Sequence, residues 1–201
     1  MMNILTEIPD YRIFTPKSRI IVNPSFDIVL EIQKLYREEG LTDYEKAEQS
    51  LYMLVKNKWN LRLFSQNEKV SLLGEISKRY IDVKKRPQIR RNPIPILDFE
   101  EDGDYIYASF MQDYGIDLVE QQGRLTWKKF LALFNGLSDD TKIRRVMHIR
   151  EMEVPPYNGK NARQIQEIQE LKSYYALPVR GGGGQSGLEL LFSALEGMAK
   201  R

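Results

Sequence analysis

The 201-residue chain contains no cysteine. That removes disulfides, thiolate nucleophiles and cysteine metal sites together, and it fits a reducing compartment. Histidine is almost as scarce. His148 is alone, and Arg144, Arg145 and Arg150 surround it in sequence, a neighbourhood that disfavours a second positive charge. A histidine base needs a nucleophile or an orienting carboxylate fixed beside it, so His148 is read as structural. One histidine leaves only carboxylates for a metal, and no loop spaces them as a calcium site requires. No apolar run approaches the roughly 18 residues that span a bilayer. Glu7, Pro9 and Asp10 occupy a start with no apolar signal core, so neither membrane insertion nor export is expected. Excess charge is missing too. Thirty Lys and Arg face 28 Asp and Glu, and a net charge of +2 creates no global field toward nucleic acid or membrane.

What remains is ordinary for a folded protein: 42% hydrophobic and 29% charged residues, too apolar for disorder. Tyr11 to Val22 reads as two short strands about a Thr15-Pro16-Lys17-Ser18 turn. After Pro24 nearly everything has helical period. Phe26, Val29, Leu30, Ile32 and Leu35 mark a helix ended by Gly40. Thr42 with Glu45, and Ser65 with Glu68, form capping boxes before two further apolar faces. Pro87, Pro93 and Pro95 then break the pattern, because proline lacks an amide donor and biases its predecessor toward extended structure.

Asp98 with Glu101 suggests another capping box, and the acidic run through Asp104 suits the positive end of a helix dipole. Gly115 is the expected left-handed terminator. Thr126 is expected to cap a helix carrying Trp127, Phe130, Leu131 and Phe134, ended by Gly136. Ser138, Asp139 or Asp140 caps the next, with Ile143, Val146 and Met147. Ile165, Ile168, Leu171 and Tyr175 draw a narrow apolar stripe along a polar helix. The glycines of Arg180 to Gly187 lack the Gly-Lys-Ser/Thr ending of a phosphate loop and read as a linker. Ser186 and Glu189 form a last capping box before Leu190, Leu191, Ala194, Leu195 and Met198. No internal repeat is present.

The expected architecture is therefore mainly α: a multi-helix single core with a small N-terminal β hairpin and a tethered C-terminal helix. Residues 1–178 form the main domain with a Pro-rich basic linker at 84–97, 179–187 the hinge, and 188–201 the amphipathic helix. That last helix is compatible with a docked core element, a homo-oligomer contact or a partner-binding arm. No catalytic, cofactor or metal residue emerges, and no enzyme is expected. Aromatic side chains lead interface hot spots, so the expected partner contacts are Tyr107, Phe110, Trp127, Phe130 and Phe134, with Leu191 and Leu195 on the tail helix. Trp127→Ala is then expected to weaken partner capture without unfolding the chain. Lys84, Lys85, Arg86, Arg90 and Arg91 offer an alternative phosphate-binding stretch. Tyr80 is the only ring among Lys78–Arg91, and the downstream acids offset the charge, so nucleic acid is disfavoured.

The order of several short pieces resembles a bacteriophage family, the gene product fifteen family. They are Asn3-Ile4-Leu5-Thr6, Asp98-Phe99-Glu100, Tyr105 to Phe110, Tyr114-Gly115-Ile116-Asp117-Leu118, Leu125 to Phe130, Leu137 to Thr141, Ile149-Arg150 and Tyr175-Ala176-Leu177-Pro178. Position 128 departs from the family pattern, with Lys in place of a second aromatic, and the tail beyond Pro178 lies outside the likeness. The resemblance implies a tail-assembly chaperone that keeps the tape-measure protein soluble in the host cytoplasm, with release by competition and no place in the mature virion. A structural tail adaptor and a nucleic-acid-binding accessory protein are the rival expectations.

Overall fold

The computed structural model describes residues 8–82, 95–178 and 187–199. It is mainly helical with one small antiparallel hairpin, as the periodicity implies. The expected helical body divides into two compact units whose segments interleave along the sequence. Unit 1 takes described residues 8–82, 121–133 and 187–199, and unit 2 takes 95–120 and 134–178.

Unit 1 begins with β1 (Arg12–Phe14) and β2 (Arg19–Ile21), paired in the register Ile13 to Ile20. Thr15 closes the turn as expected, its amide and hydroxyl both donating to the Ser18 carbonyl at 3.0 and 2.7 Å. The period of two sends Ile13 and Ile20 inward and leaves Arg12, Phe14 and Arg19 exposed. Three helices follow: α1 (Phe26–Arg37), α2 (Asp43–Leu54) and α3 (Gln66–Ile76), the last continued by a π-turn through Ile81. Both expected capping boxes, Thr42 with Glu45 and Ser65 with Glu68, are formed. The Lys17 ammonium and two Ser65 hydrogen bonds hold the Glu68 carboxyl at about 2.

Unit 1 is closed by segments distant in sequence. The Phe26 amide donates to the Leu125 carbonyl at 2.9 Å, and the Trp127 amide to the Pro24 carbonyl at 2.8 Å. That pairing brings the start of α5 (Trp127–Asn135) against α1, where Phe130 stacks on Phe26 at 4.9 Å and on Trp127 at 5.7 Å. The tail helix α8 (Gly187–Ala199) packs on α1 and α3 and buries Leu191 and Met198. Docking on its own unit is thus the arrangement this helix adopts.

Unit 2 is built on α4 (Gly103–Tyr114), α6 (Lys142–Glu151) and α7 (Ala162–Tyr174). Gly115 ends α4 at φ 62°, its amide reaching the Met111 and Phe110 carbonyls, in the left-handed conformation that L side chains avoid. Two expected caps are corrected. Asp98 closes the preceding turn, accepting from the Glu100 and Glu101 amides, while Asp102 holds the capping position of α4 without a side-chain cap because its carboxylate is engaged elsewhere. The start of α6 has Thr141 as its capping position with no side-chain cap of its own. Ser109 on α4 supplies one instead, accepting from the Ile143 amide at 3.1 Å. Gly40 likewise lies past the end of α1, which closes at Arg37.

A common device finishes the helices. The last carbonyls of a helix carry partial negative charge and lack partners within it. Lys46 covers those of Tyr36 and Glu38 at the end of α1, and Lys128 that of Arg79 at the π-turn. Arg144 covers Phe134 and Asn135 after α5, and Lys172 covers Arg150 and Met152 after α6. The departure at position 128 therefore has a structural use. Partial burial pushes the Lys128 ammonium down, against the opposing pull of Asp82.

Candidate partner-binding surfaces

The aromatic set expected to face a partner is mostly interior. Phe110, Trp127, Phe130, Phe134 and Leu191 are each no more than 4% exposed, and only Tyr107 and Leu195 are half-buried. The correction has a plain cause: at helical spacing these side chains meet neighbouring elements first. Phe130 lies against Phe26, and the Phe134 ring lies 5.5 Å from Phe99 and 5.8 Å from the Arg144 guanidinium. They belong to the cores, and they are not anchors as the chain stands. The basic alternative, Lys84 to Arg91, lies outside the described residues. His148 is exposed on α6.

One buried ionic site went unread. Arg150 at the end of α6 grips Asp102 in a two-pronged pair, Nη1 to Oδ2 at 2.7 Å and Nη2 to Oδ1 at 2.8 Å. Asp102 is 1% exposed and Arg150 8%. Nη1 also donates to the Ile96 carbonyl at 3.0 Å, Nε to the Tyr175 carbonyl at 2.6 Å, and Asp102 accepts from the Asp98 amide. Guanidinium matches carboxylate through parallel donors, which suits a fixed joint. Here it fastens the entry to α4 and the exit of α7 to α6. With each guanidinium nitrogen bonded to protein and both residues buried, the pair holds structure. Asp102 is one of five acids between Asp98 and Asp104, and spacing does not reveal which of them meets a basic helix end far away.

Two surfaces stay uncovered within their own units. In unit 2, α7 has no buried residue at all. Its stripe residues Ile165 and Ile168 are half-buried, Leu171 and Tyr174 are exposed, and Val154 and Tyr157 just before the helix are exposed as well. Only the far end is fastened, by Lys172 and by Tyr175, whose hydroxyl accepts from Lys142 at 2.7 Å. In unit 1 the most exposed rings are Phe14 and Trp59, with Tyr52 exposed to a smaller extent. Trp59 sits among the polar neighbours Asn57, Lys58, Asn60 and Arg62, which is the signal that marks it as a surface ring.

Among the described residues, no group of three or more His, Asp or Glu side chains is placed to hold a metal ion. No described helix is long and apolar enough to cross a membrane. Neither a curated protein nor a solved structure matches the chain. A family model described as Bacteriophage Gp15 protein does, over residues 15–177, from the hairpin turn through the end of unit 2. That span takes in most of the sequence, and the chain belongs to the bacteriophage Gp15 protein family.

Proposed function

We propose that this protein is a non-enzymatic tail-assembly chaperone that holds the helical tape-measure protein until the tail tube polymerises around it. The observation that carries the reading is α7: an amphipathic helix, fixed at one end, whose apolar stripe its own unit leaves half-buried at Ile165 and Ile168 and exposed at Leu171. Such a stripe suits a second amphipathic helix laid alongside it, the interaction a long helical tape-measure chain invites. Thirteen residues make a helix of about 20 Å, so each copy contributes a short contact. Many short contacts cover a long chain while each stays weak enough for tail subunits to displace it. No nucleotide is needed for release by competition. The protein then works in the host cytoplasm and leaves before the virion is complete.

Co-expression with the tape-measure protein tests this. The expected result is a soluble, co-purifying complex, lost in Ile168→Asp while circular dichroism of the variant stays unchanged. A tape-measure protein that aggregates regardless, or stays soluble with the variant, overturns the role of α7. Mass spectrometry of purified virions decides the rival: stoichiometric presence makes the protein a structural tail adaptor.

A further inference from the structure

Trp59 and Trp127 are the only tryptophans, and they are opposites: 72% exposed against 1%. The place of Trp59 is built. It lies in a 3-10 turn, Lys58–Leu63, that two asparagines fasten to the outer edge of β2. Asn57 Oδ1 accepts from the Ile21 amide at 2.8 Å, and its Nδ2 donates to the Arg19 carbonyl at 2.6 Å. Asn60 Nδ2 donates to Ser18 Oγ at 2.5 Å and to the Arg19 carbonyl at 3.2 Å. The Lys56 amide adds a bond to the Ile21 carbonyl at 2.8 Å. An edge strand usually leaves such groups to solvent; here they lock an exposed ring beside the hairpin.

Charge on this surface runs one way. Arg12 is paired with Asp10 and Lys17 with Glu68, so the neighbouring carboxylates are already engaged. Arg19, Lys56 and Lys58 are exposed and have no ion-pair partner among the described residues. The Arg62 guanidinium lies over the Trp59 ring, 3.9 Å from its centroid, a cation–π contact. Phe14, also 72% exposed, stands across the hairpin from Arg19.

Exposed rings held rigid between unpaired cations suit a ligand that carries flat faces and negative charge in alternation. We propose that this face of unit 1 binds single-stranded nucleic acid, with bases stacking on Trp59 and Phe14 and phosphates meeting Arg19, Lys58 and Arg62. Unpaired bases present the faces such rings need, and stacking tolerates any sequence. An acidic helix fits less well, because it needs a continuous apolar row, whereas Phe14 stands opposite Arg19 and Trp59 is flanked by Lys58 and Arg62. The small net charge does not oppose the assignment, since screening over about 8–10 Å makes the local excess decide.

The test uses the full chain with a fluorescein-labelled oligothymidylate, read by anisotropy at about 50 mM salt and upward. Binding is expected to quench tryptophan emission, because the buried Trp127 leaves Trp59 as the accessible reporter. Trp59→Ala weakens binding about tenfold or more, the loss of one base–aromatic stack. Arg19→Gln and Lys58→Gln each lower the salt slope by about 0.7. All three side chains are exposed, so the thermal transition is expected to stay in place. Absence of binding overturns the proposal. So does full affinity in Trp59→Ala with loss on replacing Lys84 to Arg91 by Gln, which moves binding to the linker. Equal displacement of the oligonucleotide by polyglutamate overturns it too, making the face an acidic-peptide site.

Discussion

Helices α5 and α7 look alike in sequence and part company in space. Each carries large apolar side chains at intervals of three and four. In α5 Trp127, Phe130 and Phe134 are buried, whereas α7 buries nothing. The difference lies in what meets them. The start of α5 is drawn against α1 by backbone pairing of 125–127 with 24–26, so its rings find Phe26 waiting. Helix α7 is held only near its exit, by Arg150, Lys172 and Tyr175. Amphipathic period states that a stripe exists; the neighbours decide whether the chain itself covers it. The stripe that its own unit leaves partly open is the one the proposed chaperone role uses.

The sharpest break of this comparison is Trp127→Ala. Emptying so large a buried site costs about 3–5 kcal/mol, so circular dichroism is expected to show loss of the fold or a steep fall in Tm. Retained stability would return Trp127 to the list of surface anchors. Close behind comes Asp102→Ala, which leaves a buried guanidinium without its partner at a cost of about 3–5 kcal/mol. Urea unfolding reads that loss, and limited proteolysis is expected to cut first near the exit of α7. An unchanged cleavage pattern would mean that Arg150 is not what fastens this helix.

Acid acts more gently, and within unit 1. The Glu68 carboxyl is held at about 2 against an ordinary 4.5. A depressed folded value gives stability that is present above 4.5 and lost as pH falls toward 2. The Tm difference between the native chain and Glu68→Gln is expected to shrink across that window, and a constant difference would refute the linkage. The smallest effect belongs to α7: at its exposed Leu171, Leu171→Ser is expected to shift stability by no more than about 0.5 kcal/mol, as at other surface sites. A larger drop would show that α7 packs like α5 after all.

Much of the fold was legible because its signals are local. The Thr15–Ser18 turn, the capping boxes at Thr42 and Ser65 and the left-handed Gly115 each depend on a few adjacent residues, and each forms as read. The borrowed caps were not legible. Ser109 serves α6 from α4, and Lys46, Lys128, Arg144 and Lys172 each close a helix end by folding back from elsewhere. The surfaces were not legible for a related reason: size and aromaticity belong equally to the buried Trp127 and Phe130 and to the exposed Trp59, and only what packs against each ring separates them.

By itself the sequence determined the class of the protein: cysteine-free, mainly helical, opened by a hairpin and ordered like a phage family whose model it matches. Composition and short-range spacing suffice for that, since hydrophobic period and turn chemistry act over one or two turns. Tertiary structure alone decided which apolar stripes are core and which are open, and that Asp102 and Arg150, 48 positions apart, form one buried joint. Burial is a property of pairs of surfaces. No single segment carries the information about what will come to lie against it.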